Sequence, residues 1–188
     1  MIADGPWVDS GPMSTRVYLR PPVARDRAEF LQRVYESPRL HRPWTYPPAD
    51  DEAFATYLQR SRSDTNDCSL VCLREDNAIA GVINVNNIVH SAFQSAALGY
   101  YGFVPFDGQG YMAEGLELVM RRSFGELGLH RLEANIQPGN ERSIALVRRL
   151  GFRYEGYSPR MLKIGGRWRG HERWAILREA FAPSGRST

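Results

Sequence analysis

Two stretches of this chain carry residue types and spacings that could do chemistry. Residues 100–114 read YYGFVPFDGQGYMAE: a strand-like aromatic run, a loop holding Gly108 and Gly110, and the start of a helical pattern. The first N–H groups of a helix have no partner inside it, so such a terminus can receive an anion, and glycines let the main chain approach a phosphate closely. No Lys followed by Ser or Thr stands here, as a P-loop requires, and no acid ends a second strand some twenty residues on, as a Rossmann ribose site requires. The same spacing also serves as a structural turn. The second stretch, Asn140-Glu141-Arg142-Ser143, opens a helix with Asn140 as its N-cap, and Gly151-Phe152 closes it. Taken alone, that is ordinary capping. His41, His90, His130 and His171 are scattered without metal-ligand spacing, so no metal is expected. Cys68 and Cys72, four apart in a strand-like run, read as core thiols. Glu114 falls in a first helical turn, where the helix dipole accounts for it.

The elements that must position these residues follow from periodicity. Residues 16–20 alternate as a first strand stopped by Pro21 and Pro22; 24–35 and 51–60 show helical spacing, the latter with Asp50, Asp51 and Glu52 at its start. Between them, 37–48 is an aromatic, proline-rich loop whose His41-Arg42-Pro43-Trp44-Thr45-Tyr46 could wall an acceptor pocket, although packing explains Trp44 equally well. Strands are expected at 68–74, 78–86 and 95–103. From Gly110 to near Gly128 the apolar residues Met112, Leu116, Val119, Met120, Phe124 and Leu127 recur in steps of three and four, which predicts a helix. A short strand at 131–136, a helix at 140–150 and two long strands within 152–177 joined at Gly165-Gly166 complete the pattern. The order β α α β β β α β α β β mixes an antiparallel front with one βαβ unit, an α/β fold. Residues 1–14 and 182–188 read as flexible tails around one domain, 15–181.

Taken together, the Gly108-Gln109-Gly110 loop and helix, the short strand, Asn140-x-x-Ser143, Gly151-Phe152 and Glu155-Gly156 resemble the GNAT N-acetyltransferases, in their RimJ/RimL branch of protein N-terminal acetyltransferases. Leu98-Gly99-Tyr100, His41-Arg42-Pro43-Trp44 and the 162–174 hairpin look most like the RimJ type, the ribosomal-protein alanine N-acetyltransferases. The resemblance implies a mixed, mostly antiparallel seven-stranded sheet with helices on both faces and a cleft where two parallel strands, ending near Phe103 and Ile136, splay apart. It implies acetyl-CoA in that cleft: backbone amides of Gly108, Gln109, Gly110, Tyr111, Met112 and Ala113 on the pyrophosphate, and main-chain groups of Tyr101, Gly102 and Phe103 along the pantetheine arm, which Asn140 would also contact. Members of the family carry Gln or Arg three residues before Gly110, and Gly or Ala two after it. Asp107 and Met112 stand there instead. An acid beside a pyrophosphate is unfavourable unless it points away, and Met112 must face the core.

The implied reaction moves an acetyl group directly from a thioester to an amine. A protein α-amine has a reference pKa of about 7.7 to 8.0, against about 10.4 for a lysine, so a weak base or a water chain suffices. A backbone N–H near Phe103 would polarise the thioester carbonyl. Many relatives place a tyrosine four residues before the glycine of Gly-Phe; here that position is Val147. The resemblance to the RimJ/RimL branch implies the helix-start serine in that role, so Ser143 is the expected general acid toward the departing thiolate, the alternative being a hydroxyl that only caps its helix. The end of the third sheet strand, Ala96-Ala97-Leu98, offers no acid. Glu133 is the first candidate base and Glu155 the second, with salt-bridge roles as the alternative for both.

Composition bounds the rest. The 188 residues are 43% hydrophobic, 11% aromatic and 24% charged, enough for a full core and too apolar for a disordered body. No apolar run approaches a membrane span and residues 1–13 lack the signature of a signal peptide, so a cytoplasmic protein with no membrane partner is expected. No direct nucleic-acid contact is expected, and either a monomer or a homodimer fits. The net charge of +3 conceals an asymmetry: between Glu141 and Arg178 ten Lys and Arg face three acids, a balance of +7 that leaves −4 elsewhere, acidic near residues 50–67. Arg142, Arg148 and Arg149 are thus candidates for the 3′-phosphate of CoA, a solvated basic face being the plain alternative. The acceptor expected from the resemblance is a protein N-terminus, such as that of a ribosomal protein. A small amine such as a polyamine, amino sugar or antibiotic is the second reading, and a CoA-binding module without turnover the third.

Overall fold

The computed structural model describes residues 16–181; residue 15 and the expected tails, 1–14 and 182–188, lie outside the described residues. Seven strands form one sheet in the order β1-β2-β3-β4-β5-β7-β6: β1 (Val17–Arg20), β2 (Asn66–Leu73), β3 (Ile79–Val89), β4 (Ser95–Gly102), β5 (Arg131–Ile136), β6 (Arg153–Ile164) and β7 (Arg167–Leu177). Neighbours are antiparallel except β4 and β5. That pair needs a crossover, since a tight turn cannot return a chain to a parallel neighbour. The crossover is the helix α4 (Tyr111–Gly125).

Helices cover both faces, as amphipathic spacing requires. On one face lie α1 (Arg27–Glu36), α2 (Pro38–His41) and α3 (Asp51–Arg60), whose Phe30, Val34, Phe54 and Tyr57 pack with Leu70, Val82 and Phe103. Asp50 caps α3 by accepting from the Ala53 N–H at 2.8 Å. On the other face, α4 and α5 (Glu141–Arg149) bury Leu116, Val119, Met120, Ile144 and Val147 against β1, β3 and β5 residues. Fully burying each such side chain contributes about 1.5–3 kcal/mol. Gly115 sits inside α4 despite a helix cost of about 1 kcal/mol relative to Ala, because a Cβ there would lie 2.8 Å from Val71 Cγ2. The glycine lets the helix approach β2 closely.

Several boundaries differ from the periodicity: β2 starts at Asn66, β3 runs on to Val89 and α4 ends at Gly125. The loop at 37–48 contains the one-turn helix α2, nucleated by Pro38 at its first position. The helix expected over 24–35 begins with a short 3-10 turn, Ala24–Asp26. Cys68 and Cys72 are both buried on the α1–α3 face, and burial pushes each thiol up to about 11.

Candidate active site

β4 and β5 pair only over Ser95–Leu98 and Arg131–Ala134; beyond Leu98 and Ala134 they part. The open side of β4 follows from its other edge. Phe103 N–H donates to the Ala80 carbonyl at 3.0 Å, so by alternation Tyr101 and Phe103 turn their main-chain groups toward β3, while Tyr100 and Gly102 turn theirs toward the splay. Within the expected stretch 101–103, the Phe103 N–H is therefore taken, and the free edge belongs to Gly102, with Tyr100 before it. The Gly102 carbonyl already accepts from His41 Nε2 at 2.9 Å. His41 is buried, which lowers its pKa, and its ring meets Tyr101 and Phe103 edge-on. The α2 loop thereby fixes the end of β4.

The splay opens into a cleft of about 1380 Å³ that reaches Gly108 and Gly110 at one end and Trp44 and β7 at another. Gly108 and Gly110 have φ of +76° and +88°, a region that L side chains rarely adopt, and Gly110 caps the fifteen-residue α4. The loop is held from below. Arg16 donates from Nη2 to the Gln109 carbonyl at 2.8 Å and from Nε to Glu114 Oε1 at 2.8 Å, and its guanidinium lies 4.5 Å from the Tyr111 ring centroid. Glu114 thus serves an ion pair as well as the helix dipole. Met112 faces inward, as required: a Cβ on Gly81 would lie 2.3 Å from its Sδ, and one on Gly102 3.4 Å from its Cγ. Two glycines in β3 and β4 make room for the residue that departs from the family pattern.

Around this loop the charges are paired. Arg142 Nη2 stands 3.3 Å from Asp107 Oδ2, so the acid is turned to a guanidinium at the cleft wall. Arg149 also lines the cleft; Arg148 does not, its guanidinium lying 5.3 Å from the Trp174 ring centroid. Among the three phosphate candidates, Arg148 is therefore displaced by an aromatic partner.

The Ser143 hydroxyl is not the cap of α5. Asn140 Oδ1 makes that contact, accepting from the Ser143 N–H at 3.3 Å, and Ser143 Oγ lies instead 2.6 Å from the Tyr100 hydroxyl inside the cleft. Burial pushes Tyr100 up to about 12, against the opposing pull of that bond, so its proton stays on at neutral pH. Tyr100 was legible only as part of a motif; its hydroxyl contact depends on where α5 brings Ser143. Val147 is fully buried.

Neither candidate base is unencumbered. Glu133 lines the cleft but accepts from Arg131 Nε at 2.9 Å and faces Arg173 Nη2 at 3.4 Å. Glu155 is bound by both Arg131 nitrogens, which holds its carboxyl below the usual range. For Glu155 that ion pair leaves little basicity for a substrate. Among the described residues no group of three or more His, Cys, Asp or Glu could hold a metal, and no helix is long and apolar enough to cross a membrane.

The family model for the acetyltransferase (GNAT) domain matches residues 16–153. The chain belongs to the GNAT acetyltransferases. A probable N-acetyltransferase, YjcK of Bacillus subtilis, is 30% identical over 169 residues, 86% of this chain and 93% of that one. A ribosomal protein uS5 alanine N-acetyltransferase of Escherichia coli is 37% identical over 109 residues, covering 58% of this chain and 56% of its own. Among solved structures, Mycobacterium smegmatis RimJ in complex with CoA-disulfide superposes with a TM-score of 0.77 at 28% identity, over 87% of this chain and 82% of that one. The GNAT fold, with its single parallel pair, is the one the motifs implied, and the chain is an N-acetyltransferase by family.

Proposed function

We propose that this enzyme transfers an acetyl group from acetyl-CoA to a protein N-terminal α-amine, of the ribosomal-protein alanine type. Acetyl-CoA supplies a thioester-activated acetyl group. The left-handed Gly108 and Gly110, the α4 terminus, Arg142 and Arg149 fit its phosphates, and the open edge of β4 fits its pantetheine arm. At the splay, the Gly102 N–H is aimed at the carbonyl whose oxygen gains charge. Ser143 Oγ gives a proton to the departing sulfur while taking one from the Tyr100 O–H, 2.6 Å behind it, and Tyr100 regains its proton from the water that receives the amine's. The amine loses its own proton to water, which suits an α-amine that titrates near neutrality.

The observation that carries the choice of acceptor is the charge of the cleft. Apart from Arg142 and Arg149, which the CoA phosphates would engage, Arg39, Arg60 and Arg173 line it against Glu133, a carboxylate that already faces Arg131 and Arg173, while Asp107 is paired with Arg142. A polyamine or aminoglycoside, with several cations to neutralise, would meet repulsion; a peptide with one amine would not. The alanine-acetylating and RimJ relatives support the same reading. A cytoplasmic setting follows from such a substrate. The test is thiol release from acetyl-CoA with peptides beginning Ala, Ser or Met, with spermidine and with an aminoglycoside. Turnover of the Ala peptide above the polycations is expected. Preference for a polycation would overturn the reading, and CoA binding without release from any amine would make the chain a binding module.

A further inference from the structure

Seven buried side-chain polar atoms among the described residues have no hydrogen-bond partner, and four of them, Asn86 Oδ1, Tyr101 Oη, Asn135 Oδ1 and Arg173 Nε, belong to residues lining the cleft. The sheet register shows that they share a face. Asn86 pairs with Ala97 and Ala97 with Glu133; one row on, Asn84 pairs with Gly99 and Asn135 with Arg173; Tyr101 follows Gly99 on β4. This is the α1–α3 face, opposite the side on which Ser143 meets Tyr100. Its floor, Ala97 and Gly99, is small and lies between the two asparagines. Asn84 shows the contrast: its Oδ1 accepts from the Tyr57 hydroxyl at 3.0 Å, whereas Asn86, two residues on, donates to the Asn84 carbonyl at 3.5 Å and leaves its oxygen free. Buried polar atoms in native proteins almost always have partners, so a cluster of orphans in one cleft marks where a ligand supplies them.

Building on the proposed N-terminal acceptor, we propose that Asn135 and Asn86 are its binding residues. Asn135 Oδ1, at the point where β5 leaves β4, accepts from the amine, and Asn86 Oδ1 accepts from the first peptide N–H. The two asparagines stand two strands apart, about 10 Å, and one row apart, about 7 Å. That distance is covered by an extended segment of a few residues at 3.3–3.6 Å each. The Tyr101 hydroxyl remains for a carbonyl of the same segment. The chemistry of amide oxygens matters here. A carboxylate would stabilise the ammonium and hold its proton on, whereas a neutral oxygen positions the amine without raising its pKa. This matches a site in which the nearby carboxylates are occupied by arginines.

The experiment measures steady-state kinetics of the full chain with acetyl-CoA and the Ala peptide for Asn135→Ala, Asn86→Ala and Asn135→Asp. Both alanine variants are expected to raise the peptide KM at least fivefold while the acetyl-CoA KM stays within twofold. In Asn135→Asp the acid limb of the kcat profile moves up by about one pH unit, a shift that a merely structural role would not produce. Asn135→Ser or Asn86→Ser replaces the corresponding alanine variant where it melts early. A peptide KM unchanged within twofold in both alanine variants, or an unmoved acid limb, overturns the assignment. If the wild type turns over spermidine and no peptide, the proposed function falls alone, and the same KM rise read on spermidine retains Asn135 as the amine site. Turnover of no amine overturns both.

Discussion

The Ser143–Tyr100 pair allows a quantitative test. Under the proposed mechanism, removing the serine hydroxyl takes away the group that protonates the departing thiolate, and Tyr100, whose pKa is pushed up to about 12, stands one hydrogen bond behind it. General acid catalysis is worth about 10²–10⁴-fold at most, but a CoA thiolate leaves readily because its parent thiol has a pKa of roughly 8.5. Ser143→Ala should therefore lower kcat by about tenfold or more, equivalent to about 1.4 kcal/mol of barrier. Tyr100→Phe removes one neutral hydrogen bond of 2.6 Å, worth about 0.5–1.5 kcal/mol net, so kcat should fall roughly two- to tenfold. The decisive quantity is the coupling. If tyrosine acts only through serine, Ser143→Ala/Tyr100→Phe should be no slower than Ser143→Ala alone, whereas independent roles would multiply. The assay is thiol release at saturating acetyl-CoA, with the acetyl-CoA KM and thermal midpoint as controls. Undiminished kcat in Ser143→Ala removes the serine from the mechanism, and a multiplicative double variant removes the relay.

Two further outcomes follow from the geometry. Gly81→Ala should destabilise the fold by about 1–3 kcal/mol, because its Cβ would press on Met112 Sδ and stand 2.9 Å from the Tyr101 carbonyl, which cannot swing away. At about 2–4 °C per kcal/mol for a domain of this size, a melting scan should show the loss; an unchanged midpoint would refute the packing. Asp107→Asn frees Arg142 and removes an acid beside the Gly108 loop, so CoA should bind a few-fold tighter by calorimetry, as expected of a pair with exposed partners worth about 0.2–1 kcal/mol. Weaker binding would mean that Asp107 instead holds Arg142 in its working position.

Much of this molecule is written in local pattern. Apolar steps of three and four from Met112 to Phe124 place α4, strict alternation places β5 at Arg131–Ile136, and Gly110 followed by a helix needs no long-range information to announce a left-handed cap. The family itself was legible, because its motifs are short and contiguous around Gly108-Gln109-Gly110 and Asn140-x-x-Ser143. What failed were statements about partners distant in sequence. Nothing near Phe103 says that its N–H belongs to Ala80, since that depends on the register of β3. Nothing near Arg148 says that Trp174 will claim it, or near Glu133 that Arg173 will arrive from another strand.

The sequence by itself determined the element order, the glycine loop and the helix cap, because each is a short-range consequence of side-chain spacing and backbone freedom. Only the tertiary structure decided which of two serine roles is available, by placing α5 so that Asn140 caps the helix and Ser143 meets Tyr100 of β4. It also decided which face of the sheet is left with unpartnered oxygens, since Asn84, Asn86 and Asn135 look alike in sequence and differ only in what packs over them. Spacing along the chain is local; satisfaction of a hydrogen bond depends on the whole fold.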